Sequence, residues 1–287
     1  MSSKKIKDVA VVVTTFNPDI DLLVKNIMSY IGQCGAVYLV DNSPLPFDYE
    51  ALPDKVVVLS LENNLGIAHA QNIGISEVKN DGYQYIIEID QDSSLSNGYV
   101  EGALVEYEKL NAKYGNVFGI GPVAISDVQG IDYYGYSERC DSFIVEHTLS
   151  SGFFYPVKNA NQCGEKNTGL FIDLVDWEWC YRARQHGLYT FISPNLFLFH
   201  SLGEGHIIFG PVKIGVPKPF RHYYQMRNTI LLSTMPHVPI KWKVKNLIKV
   251  FVKLIGYPII MKQGFIRLKY MLRGIRDGVL GVVGPLY

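Results

Sequence analysis

Cysteine is scarce in this sequence and poorly spaced for chemistry. Cys34, Cys140, Cys163 and Cys180 are the only four in 287 residues, and no C-x-x-C pair occurs. That spacing excludes a zinc ribbon and a disulfide framework. Long apolar runs are missing too. Residues 9–13, which follow Lys4, Lys5 and Lys7, are too few for a signal-peptide core or a spanning helix, so the protein is expected to stay in the cytoplasm. There is no internal repeat and no low-complexity block. The stretch Gly119-Ile120-Gly121-Pro122 lacks a third glycine and runs into proline, which excludes a dinucleotide fingerprint. Nucleic acid is not an expected partner.

What is present begins with enough apolar residues, 48% of the chain, to bury a full core. The net charge of zero hides a division. Residues 237–287 carry ten Lys and Arg against one acid, Asp277, which leaves the preceding residues at −9. An acidic catalytic body with a basic tail directed at an anionic surface is the reading of that split. Pro236 and Pro239 mark the boundary, giving a domain over residues 5–235 and a tail over 236–287. Within 240–260, Val244, Leu247, Ile248, Phe251 and Leu254 or Ile255 recur at three- and four-residue steps, while Lys241, Lys245, Lys249 and Lys253 occupy other turns. Such helices are expected to lie on a membrane surface without crossing it. The alternatives are packing on the catalytic domain or a homo-oligomer interface.

Short β-branched runs at 9–14, 37–40, 56–61 and 85–89 alternate with helical patterns at 19–31 and 66–78. This alternation predicts an α/β fold with a mainly parallel sheet. A helix over 96–114 and a strand over 117–120 follow, then irregular strands and loops over 126–165 expected to shape an acceptor side. Last come a helix over 176–186 stopped by Gly187, and strands at 188–192 and 196–199. In open sheets ligands bind at the carboxyl ends of the strands. Three polar clusters occupy such ends and are expected to face one crevice: Thr14-Thr15-Phe16-Asn17, Asp41-Asn42-Ser43 and Asp90-Gln91-Asp92.

Asp90 and Asp92 flank one residue at the end of an apolar strand, so their hard oxygens can meet at Mg²⁺ or Mn²⁺ and leave room for phosphate and water. The bland reading is an acidic turn. Asp41 can accept the imide N–H of a pyrimidine or simply close a turn. Gln71 and Asn72, on a helix of small residues, need polar partners if they are buried.

These pieces fall in a fixed order: VVVTTFNP at 11–18, VDNS at 40–43, NNLGIAHAQNIGI at 63–75, IDQDS at 89–93, SSG at 150–152, LFIDLVDWEWCYR at 170–182, FHSLG at 199–203 and YYQMRN at 223–228. The ordered set resembles the family 2 glycosyltransferases, and within them the rhamnosyltransferase branch that builds bacterial surface polysaccharides such as O-antigen.

The resemblance implies a GT-A fold with a C-terminal helical extension and an inverting transfer from a nucleotide sugar. Thr14, Thr15, Phe16, Asn17 and Asp41 would frame the nucleobase; Asp90 and Asp92 would serve ribose, diphosphate and metal. Gln71 replaces the arginine common in the wider family, as in the rhamnosyltransferase branch, and stands with Asn72 among the donor-binding candidates. Asp176 aligns with the catalytic base, although Val175 stands where many relatives have a second acid. His200, at a strand end, is either structural or a third metal ligand. Arg221 and Arg227 would clamp the diphosphate beside Tyr223 and Tyr224, or else belong to an ordinary amphipathic helix. Ser151, Gly152, Trp177 and Glu178 fall on the acceptor side. The expected reaction moves L-rhamnose from a deoxythymidine diphosphate carrier to a glycan or lipid-linked glycan at the inner face of the cell membrane. Other deoxysugars, galactofuranose and glucose are alternative donors. A nucleotidyltransferase would need a Gly- and Lys-rich loop that Thr14 to Asp19 do not form, and an inactive binding scaffold would have no use for Asp90, Asp92 and Asp176 together.

Overall fold

The structure, a computed structural model, describes residues 3–126, 132, 134–200, 206–209 and 212–287. Its first strand shows why a sheet forms. β1 (Val9–Thr15) is flanked on one side by β2 (Ala36–Asp41) and β3 (Val56–Ser60) and on the other by β4 (Tyr85–Asp90), all parallel. Residues Val9 to Val13 are fully buried. Alternate residues serve opposite faces: Val9, Val11 and Val13 join one core with Leu23, Ile27, Tyr99 and Leu104, whereas Ala10 and Val12 join the other with Ala70, Val78 and Trp179. Each such valine contributes about 1.5–3 kcal/mol by leaving water.

Those partners come from helices on both sides. After a short α1 (Ser3–Ile6), α2 (Ile20–Met28) and α4 (Tyr99–Tyr114) cover the first face; α3 (Ile67–Asn80), α5 (Val157–Cys163) and α6 (Val175–Gln185) cover the second. α3 lies close to the sheet because Gly74 has no side chain. A Cβ there would fall 2.4 Å from Val12 Cγ1 and 3.0 Å from Val40 Cγ2.

Beyond β4 the main sheet continues through β8 (Phe154–Pro156), β6 (Val117–Ser126), β9 (Tyr189–His200) and β5 (Ser93–Leu95), with β7 (Phe143–Val145) also on β9. β6 and β9 are parallel; the β4–β8, β6–β8, β5–β9 and β7–β9 pairs are antiparallel. The irregular strands expected over 126–165 include β8, which lies in the middle of the sheet. One expectation changes here: the two strands expected over 188–199 are one strand with an irregularity. β9's register against β6 slips between Ile192 and Phe197, where Pro194 cannot donate to the ladder. A separate hairpin joins β10 (His206–Phe209) to β11 (Val212–Gly215).

Three helices complete the chain: α7 (Arg221–Thr234), α8 (Ile240–Ile260) and α9 (Gly264–Val279). α9 lies tightly against α7, since a Cβ on Gly274 would come 2.3 Å from the Tyr223 carbonyl oxygen and one on Gly278 would come 2.9 Å from that of Arg227. α8 is anchored by Trp242, buried beside Trp177 and Tyr181 of α6 with ring centroids 6.3 and 6.1 Å away.

Candidate active site

Parallel pairing sets Thr14 level with Val40 and Asp90, and Thr15 level with Asp41, so the three expected polar clusters do share one end of the sheet. Their loops are stitched together. The Phe16 N–H donates to Gln91 Oε1 (2.7 Å), the Asn17 N–H to Ser43 Oγ (2.8 Å), and Asn26 Nδ2 to the Gln91 carbonyl (3.0 Å). Phe16 and Asn17 stay exposed. Asp41 is enclosed and accepts from the Thr15 hydroxyl (3.3 Å), the Ser43 N–H (3.0 Å) and the Tyr49 hydroxyl (2.7 Å), which makes it a brace of the crevice wall. Asn42 ties that wall to the entrance of α3, accepting from the Leu65 N–H (2.8 Å) and donating to Asn64 Oδ1 (3.1 Å).

Asp90 ends β4 with its N–H on Ser151 Oγ (3.0 Å). Loss of hydration pushes its carboxyl up to about 6, and the charge of Asp92 adds to the effect. Antiparallel pairing of β5 with β9 sets Ser93 opposite His200, whose Nδ1 lies 2.8 Å from Ser93 Oγ and 3.3 Å from Asp92 Oδ1. Asp90, Asp92 and His200 thus share one edge. Among the described residues, however, no three His, Cys, Asp or Glu side chains converge as a metal cage. Two carboxylates at a strand end still fit Mg²⁺ or Mn²⁺, which take one or two carboxylates and complete their shell with phosphate oxygens and water. Ser201, Leu202 and Gly203, the rest of the FHSLG piece, lie outside the described residues.

Asp176 occupies the first turn of α6 and accepts from the Trp177 N–H (2.9 Å). Burial pushes its carboxyl up to about 7; the charge of Lys166 opposes the shift and that of Asp90 adds to it. Trp177, half-buried, stacks on His147 at 3.7 Å and 15°. The loop entering α6 is strained: Phe171, Asp173 and Leu174 have φ of 63°, 68° and 65°. Non-glycine residues held there cost about 1–3 kcal/mol each and persist only when their surroundings impose them.

Several expected ligand-facing side chains have other work. Arg227 is fully buried, with its guanidinium on the carbonyls of Gly169, Leu170 and Gly284, so it is not a diphosphate clamp. Arg221 pairs with Asp173 of the strained loop. Gln71 is buried with Oε1 on Lys166 Nζ (2.9 Å). Asn72 exchanges two hydrogen bonds with the Lys166 backbone (2.9 Å each), so both brace the crevice from behind. Glu178 is buried and turns to Arg182 (2.8 Å) and His237 (2.8 Å). Ser151 and Gly152 are buried behind Asp90, where the Gly152 N–H donates to the Glu88 carbonyl (2.7 Å).

Sequence reasoning missed the cluster beneath the site. Lys166, 2% exposed, bonds Glu88, which also accepts from the Tyr155 hydroxyl, and its ammonium lies 4.8 Å from the centre of the Trp179 ring. The available signal was Glu88 itself, a charge inside the apolar strand YIIEID that requires a partner.

With this geometry in hand, the comparisons with known proteins are specific. The sequence model of glycosyl transferase family 2 matches residues 11–154. The dTDP-rhamnosyl transferase RfbF of Shigella flexneri is 30% identical over 292 residues, covering 95% of this chain and 96% of that protein. Among solved structures, S. aureus TarS 1–349 in complex with UDP-GlcNAc has a TM-score of 0.60 at 14% identity, with 96% of this chain and 81% of TarS 1–349 covered. GalNAc-T7 with UDP, GalNAc and Mn²⁺ has a TM-score of 0.53 at 15% identity; 88% of this chain covers 57% of that one. These structures share the GT-A fold.

Proposed function

The chain belongs to glycosyl transferase family 2 and is a glycosyltransferase, and we propose that it transfers L-rhamnose from dTDP-L-rhamnose, with inversion, to a lipid-linked bacterial glycan of the O-antigen kind. The donor follows from the full-length likeness to the Shigella flexneri enzyme. The chemistry rests on one observation: a carboxyl in the first turn of α6, with its proton affinity raised to about 7, feels the charge of Asp90 from the strand-end cluster.

In this reading Phe16 and Asn17 meet the thymine base, with Asp41 bracing the wall behind them. Asp90 and Asp92, with His200 alongside, hold a divalent cation that offsets the diphosphate charge when bound. Asp176 removes the acceptor hydroxyl proton as that oxygen attacks the anomeric carbon from the side opposite the diphosphate. The new C–O bond forms, the bond to the diphosphate breaks, and its electron pair leaves with dTDP. Half-buried Trp177 offers an apolar face to the acceptor sugar.

The α8–α9 surface supports a peripheral position at the inner face of the membrane. Val244, Leu247, Ile248, Phe251 and Ile255 are exposed on α8, as are Lys241, Lys245 and Lys249, and α9 adds exposed Phe265, Ile266 and Leu272. Exposed apolar side chains at helical spacing beside lysines on α8 suit an anionic lipid surface. No helix among the described residues is long and apolar enough to cross a membrane.

The test is turnover measured as release of nucleoside diphosphate, with dTDP and UDP as competitors and Mn²⁺ present or absent. Stronger inhibition by dTDP than by UDP is expected. The reverse order would overturn the donor assignment.

A further inference from the structure

The loop over residues 169–174 leads into Asp176, and its own turn bonds, such as Phe171 N–H to Thr168 O (3.1 Å) and Ile172 N–H to Leu170 O (2.7 Å), are supplemented from outside it. Its carbonyls are gripped by two adjacent residues of α7. Asn228 Nδ2 donates to Leu170 O (2.9 Å), Ile172 O (2.8 Å) and Asp173 O (2.8 Å). Arg227 Nη2 donates to Gly169 O (3.1 Å) and Leu170 O (2.9 Å), and its Nε donates to Asn228 Oδ1 (3.0 Å), which turns the Asn228 amide NH₂ toward the loop. Both side chains are fully buried. The carbonyls they reach on the loop span the residues whose backbone is driven to positive φ at Phe171 and Asp173. Such a backbone has no reason to persist once its carbonyl partners are removed.

The end of the chain closes the grip. Arg227 Nη1 donates to Gly284 O (2.5 Å), while the Gly284 N–H returns to Gly169 O (2.8 Å). The Leu286 N–H donates to the Tyr224 hydroxyl (2.8 Å), and the Tyr224 ring stacks on Phe171 (5.2 Å, 16°). The guanidinium of Arg227 lies 5.3 and 5.0 Å from the ring centres of Tyr223 and Tyr224. On its other side the loop reaches the donor half, where Phe171 O accepts the Ile67 N–H (2.8 Å) at the entrance of α3.

We propose that Arg227 and Asn228 are positioning residues for the transfer, acting through the strained loop on Asp176, and that residues 282–287 form a strap that keeps Arg227 in register. The inference rests on Asp176 being the base. Its consequence is a selective one. Loosening the loop shifts the base relative to the acceptor hydroxyl, while the strand end that carries Asp90 keeps its place in the β1–β4 ladder, so donor binding should change far less than turnover. Misplacement by about 1 Å costs on the order of 10² in rate.

The experiment compares Asn228→Ala, Arg227→Lys and a chain ending after Gly281 with Asp176→Asn and with the double variant Asp176→Asn/Asn228→Ala. For each, kcat, donor KM, the dissociation constant for dTDP with Mn²⁺, and the melting temperature are measured. Asn228→Ala should lower kcat by about 10² while donor KM and dTDP affinity change less than about threefold. In the double variant the loss should not exceed that of Asp176→Asn alone, because a misplaced base that is already absent costs nothing more. Arg227→Lys and the shortened chain should show the same split at smaller amplitude. Equal losses in kcat and donor affinity, or losses that multiply in the double variant, would overturn the proposal. Failure of all three variants to fold would do so as well, by assigning these residues to the fold alone. Near-normal kcat in Asp176→Asn would instead reject the base, and it is read independently of any change at Asn228.

Discussion

The crevice wall formed by β1, β2 and β4 and the loop that leads into Asp176 both hold a polar group at the edge of an apolar core, but by different means. In the wall, regular strands end in level register, so Thr14, Asp41 and Asp90 are set by the sheet ladder, and short hydrogen bonds such as Phe16 to Gln91 join neighbouring loops. The base loop has no ladder. Its geometry is imposed by Arg227, Asn228 and the chain end, more than fifty residues further along. The wall is thus set by its own ladder, whereas the proposed base is held through side chains from a distant part of the chain.

Breaking the wall at its chemistry should have the largest effect. Asp92→Ala is expected to abolish turnover nearly completely and to remove the Mn²⁺-dependent part of dTDP binding, because the ion loses a hard ligand. Titration calorimetry with and without Mn²⁺ checks it. An unchanged metal response would remove Asp92 from the ion's shell.

On the base side, Asp176→Asn should lower kcat by about 10² to 10⁴ with dTDP binding retained. The raised carboxyl sharpens the comparison through pH. With the group titrating near 7, kcat/KM should climb through pH 6 to 7 as the base ionises and level off above it, and Asp176→Asn should lose that limb. The sign for stability is opposite. The folded state holds the proton up to about 7 while the unfolded carboxyl ionises near 4, so the wild-type site loses stability as pH rises across that window. The asparagine variant should therefore gain on wild type in melting temperature from pH 4 to pH 7. A pH-independent difference between the two would show that the carboxyl is not held protonated.

Between wall and base lies the Lys166–Glu88 pair, one per cent exposed on each side. Lys166→Met should cost about 3–5 kcal/mol of stability, since it leaves Glu88 buried and uncompensated. Adding Glu88→Gln should recover part of that loss. A denaturant midpoint in the single variant equal to wild type would refute the burial argument.

How much of this was legible in the sequence follows the same division. β-branched runs ending in polar residues gave β1 to β4 and the crevice, because period and burial are local properties. The irregular strands over 126–165 could not be given bounds because three residues such as those of β8 carry no period, and β9 read as two strands because Pro194 interrupts its pattern. Asp90, Asp92 and His200 share one edge of the sheet, and Asp176 lies in the first turn of α6. Arg227, Gln71 and Glu178 were assigned to ligands because a polar side chain written in a sequence does not say whether its partner is a substrate or a distant carbonyl. Lys166 could not be found at all from spacing, as its partners come from α3, β4 and α6.

The smallest expected effect concerns α8, where the two building plans meet the surroundings. Its apolar stripe faces outward, while Lys253 turns inward: burial lowers its proton affinity, and it donates to Gln225 (3.4 Å). Three exposed lysines, Lys241, Lys245 and Lys249, therefore remain on α8 of the four in the pattern. At about 1 kcal/mol per basic residue near an anionic leaflet, they supply only modest attraction, and the exposed Phe251 and Ile248 must add to it by insertion. Phe251→Asp should thus weaken flotation with anionic vesicles several-fold yet leave turnover on a soluble acceptor unchanged, since Phe251 is far exposed and braces nothing in the site. Neutral vesicles should bind less than anionic ones. Flotation indifferent to both Phe251→Asp and lipid charge, with a change in sedimentation on making the substitution, would assign this face to a second copy of the chain.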